Sequence, residues 1–356
     1  MKKERGIFAV CDLEVEYAYQ FMEYLSKKKN IPFEMRVFTS ADTLLKFVKA
    51  CPVELLLISE NAMCEEIQEE KIGQIMILSE GVKKTKYEQY PNIYKYQSSN
   101  QVLREAMNCY AENTNYKANK LSQEKRNIEI IGVYSPVSRT MKTTFALTLG
   151  QILAKKQAVL YLNLEEYSGF EYLLEHTYEK NLGDLLYYVR QKDPNVILKM
   201  QGMVQTMNNL DFVPPVLAPS ILHETSLEDW KSLFQEIIDY SNYETVIIDF
   251  GDGLPELLHL LDFCSKIYMP VRTDTMSMAK IMQFEEVLHI WEKQNVEAKI
   301  QKIKLPFHRT IHRGSGYLDD LVWSELGDFV RELIRLGKGG NLEWKESSLE
   351  NFDENY

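Results

Sequence analysis

IEIIGVYSPVSRTMKTTFALTLGQILA, residues 128–154, is the stretch on which the reading of the larger part of this chain turns. It opens with an apolar run, IEIIGV, of the length and composition of a short buried strand, and Pro136 stops it. After the polar loop the sequence becomes TTFALTLGQILA, which reads as a helix beginning near Lys142. Strand, loop, helix is the order of a phosphate-binding loop. Such a loop works because its backbone N–H groups point at phosphate, a Lys reaches the terminal oxygens and a Ser or Thr hydroxyl holds Mg²⁺. Lys142 and Thr143 stand in those two places, Thr144 follows, and Ser138, Arg139, Thr140 and Met141 form the loop ahead of them.

Downstream, AVLYLNL, LDFVPP, YETVIIDFG and KIYMPV read as further short buried strands. SLEDWKSLFQEIIDYS, MAKIMQFEEVLHIWEKQ and LVWSELGDFVRELIRL carry apolar residues at helical spacing. Upstream, from Gly6 to Tyr110, IFAV, MRVF, VELLLI, GQIMIL and NIYKY alternate with helical patterns, so that five strands fit a domain of ordinary size. Between the halves, AENTNYKANKLSQEKRN has almost no apolar residue. The expectation is two doubly wound α/β domains: 1–111, a linker 112–127, a second domain 128–338 and an acidic tail 339–356.

Bulk properties narrow the function. Of 356 residues, 45% are hydrophobic and 26% charged, enough apolar mass for real cores. Acidic residues outnumber basic ones 52 to 41, a formal net charge of −11, which argues against a nucleic-acid partner. The five cysteines are scattered with no CxxC pair and read as thiols in a reducing compartment. No run approaches the ~18 apolar residues of a spanning helix, the N-terminus has no signal-peptide core, and the tail lacks a basic amphipathic anchor. A cytoplasmic protein without membrane insertion is expected. The six histidines form no metal-binding pattern; His308 and His312, beside Arg309 and Arg313, read as a solvated loop.

Several segments in order carry a resemblance: the lead-in Ser135-Pro136, KTT at 142–144, the strand ending YLNLEEYSG, YETVIIDFGDG, and LPFHRTIHRGSGYLDDLVWSELGDFVREL near the end. Across about 128–336 the chain resembles the MinD/ParA superfamily of P-loop ATPases. The resemblance implies ATP and Mg²⁺ as ligands, with Asp249 at the Walker B position and Thr143 and Asp249 holding the metal, and a homodimer.

The departures bear on mechanism. Family glycines that let the backbone approach phosphate are replaced by Ser138, Arg139 and Met141, whose side chains are expected to narrow the cradle. The family's lysine that reaches across the dimer falls at Val137, which removes a charge that would stabilise the transition state. Its switch carboxylate falls at Asn163, with Glu165 two residues on. The adenine-contacting strand is shortened between Asn295 and LPFHR. No catalytic residue is assigned, weakened nucleotide binding is expected, and hydrolysis is not.

The first domain resembles a response-regulator receiver. Asp12 and Glu14 are candidates for its acidic pair, Ser79 for its switch hydroxyl and Lys95 for its lysine, but Ser59 stands where the phosphoacceptor Asp would be. A pseudo-receiver used for docking is expected, with Tyr87, Tyr90, Tyr94 and Tyr96 as a candidate face. A receiver-like domain joined to a degenerate MinD/ParA-like domain resembles the TadZ/CpaE group. That implies a scaffold, with a polar location, that positions the pilus secretion machinery, nucleotide being at most a dimerisation ligand. Two other readings stay open: a working ATPase, and a signalling regulator driven through the receiver-like domain.

Overall fold

The computed structural model describes residues 6–28, 30–81, 85–113, 128–307 and 313–337. The chain divides into two compact units. One comprises 1–127 with 180–206 and 228–244; the other comprises 128–179, 207–227 and the chain from 245 onward. His308, His312, the tail 339–356 and residues 114–127 of the expected linker lie outside the described residues.

The first unit is built on five parallel strands, β1 (Ile7–Cys11), β2 (Glu34–Phe38), β3 (Val53–Ser59), β4 (Ile72–Ser79) and β5 (Asn92–Tyr94), in the order β2-β1-β3-β4-β5. Strand side chains alternate faces with a period of two. Phe8, Val10, Leu55, Leu57, Met76 and Leu78 therefore enter one core with Phe21, Leu25 and Met107. Ala9, Cys11, Leu56, Ile58, Ile75 and Ile77 enter another with Leu44, Val48 and Ile67. Apolar side chains on both faces explain why VELLLI and GQIMIL read as continuous hydrophobic runs rather than alternating ones.

Two segments that the linear division gave to the second domain belong to this first unit. The helix Val196–Met203 packs by Leu198 on the core of Phe8 and Met107. Asn108 Nδ2 donates to the Gly202 carbonyl at 3.2 Å, and a Cβ on Gly202 would fall 1.9 Å from Asn108 Oδ1, so a larger residue there would push that side chain aside. Asn30 Nδ2 donates to Tyr243 Oη at 3.0 Å, and Asn242 Nδ2 to the Ile31 carbonyl at 2.9 Å. Trp230, from the helix Leu227–Tyr240, is fully buried.

The second unit carries β6 (Glu129–Val133), β7 (Val159–Leu164), β9 (Leu210–Val213), β10 (Thr245–Phe250), β11 (Lys266–Pro270) and β12 (Ile300–Ile303), with β8 (Gln205–Met207) at the sheet's end; the order is β12-β11-β6-β10-β7-β9-β8. The pairings β10–β6, β10–β7, β11–β6, β11–β12 and β7–β9 are all parallel. Asn208 and Asn209, both with positive φ, make the two-residue turn from β8 to β9. The helix Lys142–Ala154 buries every residue from Phe145 to Gln151, as a helix apolar on most sides must. One expectation needs correction. The closing helical pattern is two helices, Ser315–Trp323 and Glu325–Leu336, because Ser324 takes an extended conformation and its side chain caps Gly327 N. The strand before LPFHR is the short, four-residue β12.

In this sheet the chain leaves β6 for β7 on one side and passes from β10 to β11 on the other. The carboxyl ends of β6, β7 and β10 therefore meet at a switch in strand direction, where open parallel sheets bind ligands.

Candidate functional site

The loop between β6 and the helix Lys142–Ala154 is pinned locally. Ser135 Oγ accepts from Val137 N at 3.2 Å, and Thr140 Oγ1 donates to the Val137 carbonyl at 3.1 Å. Val137 is buried, so the position matched to the partner-reaching lysine belongs to the core. Arg139 (φ 59°) and Met141 (φ 62°) take the left-handed conformation that glycines take freely and other residues at a cost of about 1–2 kcal/mol each. The loop thus keeps a glycine-type backbone after losing the glycines, and Ser138 and Arg139 lie exposed on it.

Lys142 is 7% exposed. It donates to Asp252 Oδ1 at 2.6 Å and to the Phe250 carbonyl at 3.1 Å, and forms an ion pair with Glu165 Oε1 at 3.2 Å. Burial works to lower its pKa, but Glu165, Asp252 and Asp249 outweigh that and hold it above the usual lysine value. Ser138 Oγ donates to the other oxygen of Asp252 at 3.3 Å. Gly251 brings the acids in: a Cβ there would stand 2.6 Å from the Leu164 carbonyl and 3.1 Å from Glu165 Cα, so glycine is what allows the ends of β10 and β7 to touch.

Asp249 lies at the end of β10, completely buried. Its Oδ2 accepts from Tyr161 Oη at 2.9 Å, while Oδ1 has no hydrogen-bond partner among the described residues. Burial, then the charge of Glu165, push its pKa up to about 7; the Thr143 hydroxyl, Lys142 and Tyr161 pull the other way. Burial, and then Asp249 itself, push the fully buried Tyr161 well above the usual tyrosine value. Asn163 donates to Tyr161 Oη at 2.9 Å and accepts from Glu165 N at 2.9 Å, which aims Glu165 toward Lys142. Burial raises Glu165 and Lys142 opposes this; its pKa ends above the usual carboxylate range. Thr144 Oγ1 lies 3.4 Å from Tyr317 Oη.

The structure therefore gathers Ser138, Lys142, Thr143, Asn163 and Asp249 at one end of the sheet. Asp252 and Glu165 as lysine partners, and Tyr161 as partner of Asp249, escaped the sequence reading. The signal for Asp252 was present: in YETVIIDFGDG a second acid stands three residues beyond Asp249, just past the strand end.

ATP and Mg²⁺ can be tested against these residues. A cation fits: the orphaned buried Oδ1 of Asp249 and the Thr143 hydroxyl are hard oxygen donors of the kind Mg²⁺ takes. A phosphate would have to displace protein partners, because Asp252, Glu165 and the Phe250 carbonyl already meet the Lys142 ammonium. The residues as arranged support no chemical step through a nucleotide.

In the first unit, the carboxyl ends of β1, β3, β4 and β5 place Asp12, Ser59, Ser79 and Lys95 at one edge. Lys95 is 1% exposed, 2.9 Å from Asp12 Oδ2 and 2.6 Å from Glu14 Oε2, and lies over the Tyr17 ring at 4.6 Å. Burial works to lower its pKa, and Glu14 and Asp12 more than offset that. Ser79 Oγ donates to Asn92 Oδ1 at 2.6 Å, whereas the buried Ser59 Oγ has no partner among the described residues. Tyr87 is buried, its hydroxyl donating to the Met63 carbonyl, so it belongs to the packing; Tyr94 and Tyr96 are exposed and meet edge to face at 6.0 Å.

Fold and site together define a parallel α/β unit with a strand–loop–helix turn whose lysine is neutralised by protein carboxylates. A scan against protein-family models finds no match, and no curated protein matches the chain. Solved structures do match. A ParA family ATPase from Chlorobium tepidum is 16% identical, over 56% of this chain and 81% of its own, with a TM-score of 0.44. A plasmid partition protein from Borrelia burgdorferi is 16% identical over 59% and 98%, TM-score 0.43. Cobyrinic acid a,c-diamide synthase from Mycobacterium smegmatis, solved with an ATP analog and magnesium, is 16% identical over 60% and 97%, TM-score 0.42. Identities and TM-scores this low leave the chain's own residues to carry its function. Among the described residues no helix is long and apolar enough to cross a membrane.

Proposed function

We propose that this chain is a scaffold of MinD/ParA type that hydrolyses ATP not at all or only very weakly, and that it resembles TadZ/CpaE proteins in positioning pilus secretion machinery. The observation that carries the reading is Lys142: its charge is met by Asp252, Glu165 and the Phe250 carbonyl, and Val137 supplies no second cation. Without those two lysine charges, the developing charge of phosphoryl transfer loses much of its stabilisation. Nucleotide is then at most a ligand that favours a homodimer, by linkage rather than by turnover. A pseudo-receiver in the first part of the chain, with segments 180–206 and 228–244 added to its compact unit, belongs to the same proposal; the order β2-β1-β3-β4-β5 and the cluster of Asp12, Glu14, Ser79 and Lys95 support it, and Ser59 leaves it without an acyl-phosphate chemistry.

A second reading, an active ATPase, draws support from one specific pair of facts: the left-handed conformations at Arg139 and Met141 and the free oxygen of Asp249 beside Thr143. Calorimetric titration with ATP and Mg²⁺, with light scattering and phosphate release followed in the same samples, separates the two. The scaffold reading expects no phosphate release above the blank and any binding to be accompanied by a monomer-to-dimer shift. Sustained release that depends on Lys142 refutes it.

A further inference from the structure

The acids around Lys142 do more than fill space. We infer that Glu165 and Asp252 form a built-in counter-anion that occupies the loop lysine in place of phosphate and holds the loop in its present shape with no nucleotide bound. The inference rests on the proposed reading above and explains it at the level of two residues.

Three observations converge. Lys142 donates to Asp252 Oδ1 at 2.6 Å and to the Phe250 carbonyl at 3.1 Å, and Glu165 forms a 3.2 Å ion pair with the same ammonium. Asp252 is itself held to the loop, since Ser138 Oγ donates to its second oxygen; the carboxylate bridges the loop and the lysine as a phosphate group would. The acids are also fixed in place, Gly251 allowing the β10 end to meet the β7 end and Asn163 orienting Glu165 through its backbone N–H. A phosphate entering this site must displace a charge-assisted contact on a nearly buried lysine and face the freed carboxylates, and both steps oppose it. Asp252, half-exposed, is the gate residue, and Glu165, more buried, is the fixed one.

The test uses the full chain and magnesium tripolyphosphate, which probes the cradle without an adenine contribution. Titration calorimetry compares the wild type, Glu165→Gln/Asp252→Asn, and that pair combined with Lys142→Met. The double variant is expected to bind at least about tenfold more tightly than the wild type, because each charge-assisted contact removed from the lysine is worth about that factor or more. Binding is expected to vanish in the variant that also lacks Lys142. Equal affinity in wild type and double variant, or binding that survives Lys142→Met, overturns the inference. Circular dichroism checks folding, and should the double variant unfold, the single Asp252→Asn variant decides by the same ratio. The outcome stands apart from the scaffold reading: phosphate release by the wild type would end that reading, whereas this inference is read only from the affinity ratio.

Discussion

Replacing Asp249 by asparagine isolates the electrostatics of the second unit. Asp249 is fully buried and its pKa sits near 7 in the folded chain against an ordinary value of 3.8, with burial as the leading cause. Between those two values the folded chain holds a proton that the unfolded chain has lost, so stability falls as pH rises and levels off above about pH 7. Every pH unit of that interval is worth about 1.4 kcal/mol, which puts the whole near 4 kcal/mol as a ceiling, since Lys142 and Glu165 respond to the same change. Asp249→Asn keeps an oxygen for the Tyr161 hydroxyl and removes the ionisation. At pH 5, already above the unfolded value, the variant should lead by at most about 1.6 kcal/mol. At pH 8 the variant should be the more stable, by as much as roughly 8–16 °C in the calorimetric midpoint of the second unit's transition. Scanning calorimetry at pH 5, 6, 7 and 8 reads the effect directly. A variant with the same pH slope as the wild type, or one less stable at pH 8, would refute the assignment of a destabilising buried carboxylate.

Other measurements bear on separate links. Arg139→Gly and Met141→Gly should each stabilise the chain by about 0.5–1 kcal/mol, the left-handed cost relieved less the entropy glycine adds to the unfolded state; denaturation that shows a loss would mean the loop does not hold those dihedrals. Lys95→Met should destabilise the first unit by about 3 kcal/mol, because Asp12 is buried beside it and loses its counter-charge, and adding Asp12→Asn should restore part of that. A fragment of residues 1–127 should fail to give a cooperative melt by circular dichroism, since it lacks Leu198, Trp230 and Tyr243, which belong to that unit; a sharp transition near that of the intact chain would show that the first sheet and its own helices suffice.

Much of this was legible in the sequence because it depends on neighbours along the chain. Strands such as VELLLI and TVIIDF announce themselves by apolar composition, and the helix at Lys142 by its position after strand and loop; both signals are local. Lys142, Thr143, Asn163 and Asp249 could be named for the same reason, since each lies at or just beyond the end of a recognisable strand or at a helix start. Lys95 and its acids were likewise named by their places at strand ends. What the linear reading missed has a common physical cause: it depends on which strands lie side by side. The order β6-β10-β7 brings the β7 and β10 ends together and delivers Glu165 and Asp252 to Lys142, residues 23 and 110 positions away along the chain. The left-handed dihedrals at Arg139 and Met141 were likewise not legible, because such residues ordinarily avoid that conformation. Segments 180–206 and 228–244 complete the first unit although they follow the loop in sequence, because long-range contacts such as Asn30 to Tyr243 and Asn108 to Gly202 are invisible to any local pattern. The chain's periodicities alone determined that it forms strands, helices and a strand–loop–helix turn. Only the packing of the sheets decided that the lysine of that turn is met by the protein's own carboxylates, because a charge takes the partners that the fold places within reach.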